Sequence, residues 1–182
     1  MMKRKTKILL SLVPFVLLAA ISAVLAWSLV GNDQTAPVEP PMIGKKLPHF
    51  TLTTLDSAHP TFSSHDIKEP FALVNIFATW CTPCRAEHGL LVQLSKLNGI
   101  PIYGIAYKDK ANDIKAFLSE AGNPYKQVGL DLDGRTGIDL AITGAPETLL
   151  VDKEGIIRAR IVGPLTPTSY HDQVMSIIKK SH

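Results

Sequence analysis

A chain of 182 residues, 46% hydrophobic and 19% charged, has room for one ordinary globular domain plus an appendage, and this composition excludes wholesale disorder. The net charge of +3 is carried largely by Lys3, Arg4, Lys5 and Lys7 at the extreme N-terminus, so the remainder is close to neutral. No basic stripe with interleaved aromatics occurs downstream, which excludes the footprint of a nucleic-acid binder.

The cationic segment 1–7 precedes an uncharged run from Ile8 to Val30. As a helix that run rises about 34 Å, enough to cross a hydrocarbon core of about 30 Å. It ends at Gly31-Asn32-Asp33, with Trp27 where an interfacial aromatic belongs, and Pro14 is tolerable inside a membrane helix. Cations before the span and none directly after it keep residues 1–7 in the cytoplasm and export the downstream chain. A cleaved signal peptide is the competing reading, with Ala20-Ile21-Ser22 as a small-x-small site, but its apolar core is normally only about 7–15 residues. An uncleaved transmembrane anchor over 8–30 is the favoured expectation.

Residues 31–44 form a Pro-rich tether with Pro37, Pro40 and Pro41, and 45–182 the globular domain. Leu73 to Ala78 is a β-rich apolar run that predicts a buried central strand. Cys81 to Leu97 spaces Leu90, Leu91, Leu94 and Leu97 as one helical face, with Asn98-Gly99 as its stop. Ile102 to Tyr107 predicts a second strand. A helix capped by Asn112 or Asp113 then buries Ile114, Phe117 and Leu118 and stops at Gly122. Thr148–Val151 and Ile156–Val162 predict a hairpin turned at 152–155, and Tyr170, Val174, Ile177 and Ile178 line a closing helix. Right-handed crossovers make this an α/β central sheet with helices on both faces.

The chemistry concentrates in Trp80-Cys81-Thr82-Pro83-Cys84, which holds both cysteines of the chain at a strand-to-helix junction. A structural staple gains most by closing a long loop, and this loop is nearly the shortest possible. Tetrahedral zinc needs four ligands. His88 extends the pair to three at most, and His49, His59, His65, His171 and His182 are scattered, so no metal is expected. Covalent haem needs His directly after the second cysteine, where this chain has Arg85. A redox dithiol accounts for each position. At the first turn of a helix, unpaired N–H groups and the dipole stabilise a Cys81 thiolate as the attacking group. Cys84, one turn on, resolves the mixed disulfide. Pro83 lacks an N–H that the first turn cannot use. Trp80 offers a flat wall beside the sulfur or simply packs. Glu87 lies three residues after Cys84 on one helical face, either to exchange its proton or as a solvated glutamate.

The segment Phe77-Ala78-Thr79-Trp80-Cys81-Thr82-Pro83-Cys84-Arg85-Ala86-Glu87-His88 resembles the active-site segment of thioredoxin-like proteins, and Gly144-Ala145-Pro146-Glu147-Thr148 resembles their cis-proline loop. With Tyr103–Asp109 and Gly122-Asn123-Pro124-Tyr125, these stretches make the chain similar to the CcmG/DsbE family, anchored thiol:disulfide interchange proteins of bacterial cytochrome c maturation. The resemblance implies a thioredoxin-like central mixed sheet flanked by helices, behind one N-terminal transmembrane helix. It also implies a single-pass inner-membrane protein with a periplasmic domain and no cofactor, reducing apocytochrome c directly or through a partner thiol protein. Re-reduction would come from a DsbD-type transmembrane thiol reductase. It makes Pro146 cis, its neighbouring backbone offered to an extended substrate, with Trp80 and Glu147 in the same groove. Asn75 stands where thioredoxin carries a buried aspartate, which strengthens the case for Glu87. A generic thioredoxin-like oxidoreductase and a thioredoxin-fold metallochaperone are the alternatives. A thiol peroxidase would need Thr where Ala78 stands.

Overall fold

The computed structural model describes residues 2–31, 42–97 and 99–181, with the side chains of the first segment described over 13–27. The chain divides into two compact units, Met1–Glu39 and Pro40–His182. The first is a 30-residue helix, α1 Met2–Gly31, containing Pro14. Its described side chains include exposed Val13, Phe15, Leu17, Ile21 and Trp27. Among the described residues no helix is long and apolar enough to cross a membrane. The expected span over 8–30 lies within α1, with its side chains described only over 13–27. The prolines of the expected tether and Asn98 of the expected helix stop also lie outside the described residues.

The second unit is an α/β fold around one mixed sheet. Its strands are β1 Thr51–Thr54, β2 Thr61–Ser63, β3 Phe71–Phe77, β4 Ile102–Tyr107, β5 Gln127–Asp131, β6 Glu147–Asp152 and β7 Ile157–Val162, in the order β2-β1-β5-β4-β3-β6-β7. β3, β4 and β5 run parallel, and β6 lies antiparallel to β3 and β7. The run β4-β3-β6-β7, from the middle of this order to one edge, matches the four expected strands. The residue pattern does not announce the hairpin β1–β2 or strand β5: β1 is Thr-Leu-Thr-Thr, and β5 has Gly129 at its middle and only two aliphatic residues.

Strand periodicity splits the core in two. Leu73 and Phe77 of β3, Ile102 and Ala106 of β4 and Leu150 of β6 face Leu91 of helix α2 (Thr82–Ser95), Ile114, Phe117 and Leu118 of α3 (Ala111–Ala121) and Val174 of the closing helix. Val74, Ile76, Tyr103, Ile105, Leu149 and Val151 face the other way, onto Leu47, Phe50, Ile67 and Leu140, which follows the short helix α4 (Arg135–Asp139). The first face thus takes the long helices, and the second is covered mainly by the N-terminal segments. Asn75 shares the parity of Leu73 and Phe77, so its amide is driven into the layer under α2.

Two expected helix details differ. α2 ends at Ser95 with Lys96 as C-cap, leaving Leu97 beyond the helix and 71% exposed. α3 begins at Ala111 after Lys110, not at Asn112 or Asp113, because Asp109 already accepts from the Lys110 N–H at 2.8 Å and starts the turn earlier. Its stop is Gly122 at φ 89°, a conformation that favours glycine. The closing helix runs through α5 Pro167–Ser169, a π-helical stretch Tyr170–Met175 and α6 Ser176–Lys180.

Candidate active site

β3 ends at Phe77 and α2 begins at Thr82, so the intervening turn carries Cys81 to the helix N-terminus as its N-cap. Cys81 and Cys84 are joined as a disulfide, with Cα atoms 5.3 Å apart. Two backbone polar groups lie within contact of the Cys81 sulfur. The Cys84 N–H donates to it at 3.2 Å, and the Ala145 carbonyl oxygen lies 3.3 Å away. The N–H and the helix dipole favour a thiolate there, whereas the carbonyl accepts from a thiol. Ala145–Pro146 is a cis peptide, so the cis-proline loop touches the Cys81 sulfur through the residue before Pro146. Pro146 is itself buried, and its carbonyl accepts from Gly163 N–H at 3.0 Å.

The turn is held from behind by the segment after β4. Thr79 N–H donates to the Asp109 carboxylate, and the Trp80 indole N–H donates to the Lys108 carbonyl at 3.2 Å. Trp80 stays 59% exposed beside the disulfide. Arg85 donates to the Thr79 carbonyl at 2.9 Å and lies 4.9 Å from the Phe117 ring centre. His88 is buried, with Nε2 2.8 Å from the Gly122 carbonyl oxygen, so its ring points at the end of α3. Burial holds His88 below the usual imidazole range, and the Arg85 charge adds to this against the Gly122 carbonyl.

Glu87 is only 2% exposed and is not a solvated helix glutamate. Its carboxylate accepts from Asn75 Nδ2 at 2.8 Å and from the Leu165 N–H. Burial pushes its carboxyl above the usual range, opposed by those two donors. Both Asn75 amide hydrogens are used, since Nδ2 also donates to Thr148 Oγ1 at 3.1 Å, and Oδ1 accepts from the Tyr125 hydroxyl at 2.9 Å. Tyr125 is buried, and burial followed by the Glu87 charge holds its phenol well above the usual value.

Glu147, expected in the substrate groove, is fully buried. Its Oε2 pairs with the Arg160 guanidinium at 2.7 Å, and its Oε1 accepts from Thr143 N–H and Oγ1 at 2.6 and 2.7 Å. Arg160 also donates to the Ala141 carbonyl at 2.7 Å. The Glu147 side chain therefore pins the loop 141–146 from inside and presents no carboxylate to a groove.

Cys81, Cys84, Trp80 and Pro146 thus meet at one end of the sheet, with Glu87 beneath them and Glu147 behind the loop. Tyr125 and Arg160 carry contacts that residue patterns do not single out. Tyr125 closes the Gly-Asn-Pro-Tyr stretch with nothing in the pattern to give it a role, and Arg160 reads as an ordinary polar position of an alternating strand.

The redoxin family model matches residues 42–175. Thiol:disulfide interchange protein DsbE of Escherichia coli K12 is 39% identical over 183 aligned residues, covering 98% of this chain and 96% of that protein. The DsbE protein of Pseudomonas aeruginosa PAO1 is 40% identical over 139 residues, covering 76% and 77%. The crystal structure of a thiol:disulfide interchange protein of the thioredoxin family from Chlorobium tepidum TLS superposes with a TM-score of 0.58 at 32% identity, covering 72% of this chain and 94% of that one.

Proposed function

The chain belongs to the DsbE family of thiol:disulfide interchange proteins and is a thiol–disulfide oxidoreductase; from that premise we propose that it is a membrane-anchored periplasmic reductant of apocytochrome c disulfides, acting before haem attachment. The substrate is apocytochrome c itself or a partner thiol protein, and a DsbD-type transmembrane thiol reductase restores the dithiol. The anchor is the run Ile8–Val30, and the cations Lys3, Arg4, Lys5 and Lys7 before it keep the N-terminus in the cytoplasm.

One observation carries the catalytic reading: the Cys81 sulfur contacts both the Cys84 N–H and the carbonyl that precedes cis-Pro146. In the reduced enzyme the Cys81 thiolate attacks one sulfur of the substrate disulfide. A Cys81–substrate bond forms, the substrate S–S bond breaks, and one substrate thiolate leaves. Cys84 then gives up its proton, attacks the Cys81 sulfur and releases the second substrate thiolate. Two electrons pass to the substrate and the Cys81–Cys84 disulfide remains. In this reading Trp80 and the backbone around Pro146 hold the extended substrate, and Glu87 takes the Cys84 proton directly or through one water. Glu147 supports the groove through the loop it pins.

The test is a redox titration of the full-length protein against a dithiothreitol series, beside an insulin-reduction assay. A reducing potential with insulin turnover is expected. A potential as oxidising as about −120 mV, the value typical of a dedicated oxidant, would overturn the reductive direction.

A further inference from the structure

We infer that Tyr125 is a positioning residue for the redox reaction: its hydroxyl heads a directed chain of donors that runs through the Asn75 amide to the Glu87 carboxylate. The inference rests on the reading of Glu87 as the group that exchanges the Cys84 proton.

Each link has a direction. The Tyr125 O–H donates to Asn75 Oδ1 at 2.9 Å, and the Asn75 amide donates from Nδ2 to Glu87 Oε1 at 2.8 Å. The second Nδ2 hydrogen goes to Thr148 Oγ1 at 3.1 Å. Tyr125, Asn75, Glu87 and Thr148 are all buried, so water does not compete for these hydrogens. Asn75 is fixed on the strand before the cysteines, and Tyr125 lies in the segment leading into β5 with its ring stacked on Phe77 at 4.7 Å. A donor on a carbonyl polarises the amide and makes its N–H a stronger donor, an increase on the order of 10–30% per bond. The phenol thereby favours the ionised carboxylate, which is the form that can accept a proton. It offsets the burial that pushes Glu87 the other way.

The titratable neighbours from every packed element are few. The neutral Asn75 meets Glu87 from β3 and is itself held by Thr148 and Tyr125, the Glu87 charge is felt at Tyr125, and the Leu165 N–H reaches Glu87 from the loop after β7. On α2 itself stand Cys84, His88 and Arg85. His88 is engaged by Gly122, and Arg85 by Thr79 and Phe117.

The test observes the Glu87 carboxyl directly, by carbon-13 NMR of the reduced full-length chain in detergent micelles labelled at glutamate, with Glu87→Gln to identify the signal. Tyr125→Phe keeps the ring and its stacking and removes only the donor. It should raise the Glu87 titration midpoint, weakening the acid roughly threefold. 3-Fluorotyrosine at position 125 is a stronger donor and should move the midpoint down. Opposite shifts from two variants of one ring shape are not the mark of a packing role. The pH profile of iodoacetamide labelling at Cys84 should move with the carboxyl in both. An unchanged Glu87 midpoint in both variants, or shifts of the same sign, overturns the inference. A carboxyl that moves while the Cys84 profile stays fixed supports the donor chain and overturns the role of Glu87 at the thiol.

Discussion

Cys81 and Cys84 are equally shielded, each 4% exposed, so access does not rank them as nucleophiles. Position does. Cys81 is the N-cap whose sulfur accepts an N–H, while Cys84 lies inside the first turn and supplies that N–H. Cys81→Ser should abolish insulin reduction, and Cys84→Ser should leave a Cys81 that holds partners as mixed disulfides. Faster iodoacetamide labelling of Cys84 than of Cys81 at neutral pH would reverse the roles. Glu87 allows a second prediction with a defined sign. Its native carboxyl titrates above the ordinary value of 4.5, so between 4.5 and the native value the folded chain binds the proton more tightly than the unfolded one. Stability from this group is fully present below 4.5 and is lost as the pH rises through the native value. Glu87→Gln removes that dependence, so the stability of the variant relative to the natural protein should improve from pH 4.5 towards neutrality in urea denaturation. A constant difference across that range would mean that Glu87 has an ordinary proton affinity. On the proposed reading, in which the Glu87 carboxylate acts on the Cys84 thiol, the variant should also label at lower pH and be more oxidising.

Among the elements, the loop 141–146 with the start of β6 is held by a buried ion pair. Ala141 has φ 52°, and its carbonyl and the Thr143 N–H are held by Arg160 and Glu147 rather than by a strand partner. A buried ion pair is costly to break from one side, by about 3–5 kcal/mol. Arg160→Leu should lose about that much in denaturant unfolding, and adding Glu147→Leu should recover part of it. The same single variant should weaken mixed-disulfide trapping by Cys84→Ser, because the Ala145 carbonyl is no longer fixed against the Cys81 sulfur. A double-variant loss equal to the sum of the losses of Arg160→Leu and Glu147→Leu alone would show that the two side chains act independently. This element also marks where sequence patterns stop being informative. β3, β4, α2 and the β6–β7 hairpin are legible because long apolar runs or fixed helical spacing report their burial. β1, β2 and β5 are not, because short threonine- and glycine-bearing strands take their pairing from neighbours distant in sequence.

At the scale of the whole molecule, the parallel run of β3, β4 and β5 carries the Trp80–Cys84 turn, the Lys108–Asp109 corner and the Asp131 loop to one end of the sheet, and antiparallel β6 begins there. The cysteine pair is legible from spacing alone. The burial of Glu87 is not, since its two donors stand 12 and 78 positions away and meet it only once the sheet forms. The N-terminal unit has its own prediction. If Ile8–Val30 is an uncleaved anchor, the mature protein keeps its first residues and stays in the membrane pellet after alkaline carbonate extraction. Mass spectrometry showing a new terminus near Ala23, with the protein in the soluble periplasmic fraction, would replace the anchor with a cleaved signal.

The exposed indole beside the disulfide has a practical consequence. The chain has two tryptophans, Trp27 in α1 and Trp80 next to Cys81. A disulfide quenches the emission of an adjacent indole, and a dithiol does so less. Trp80 is therefore an intrinsic optical sensor of the oxidation state, against a background from Trp27 that a Trp27→Phe variant would remove. Turnover can then be monitored in real time without a label, and each reduction by a donor registers as a rise in fluorescence.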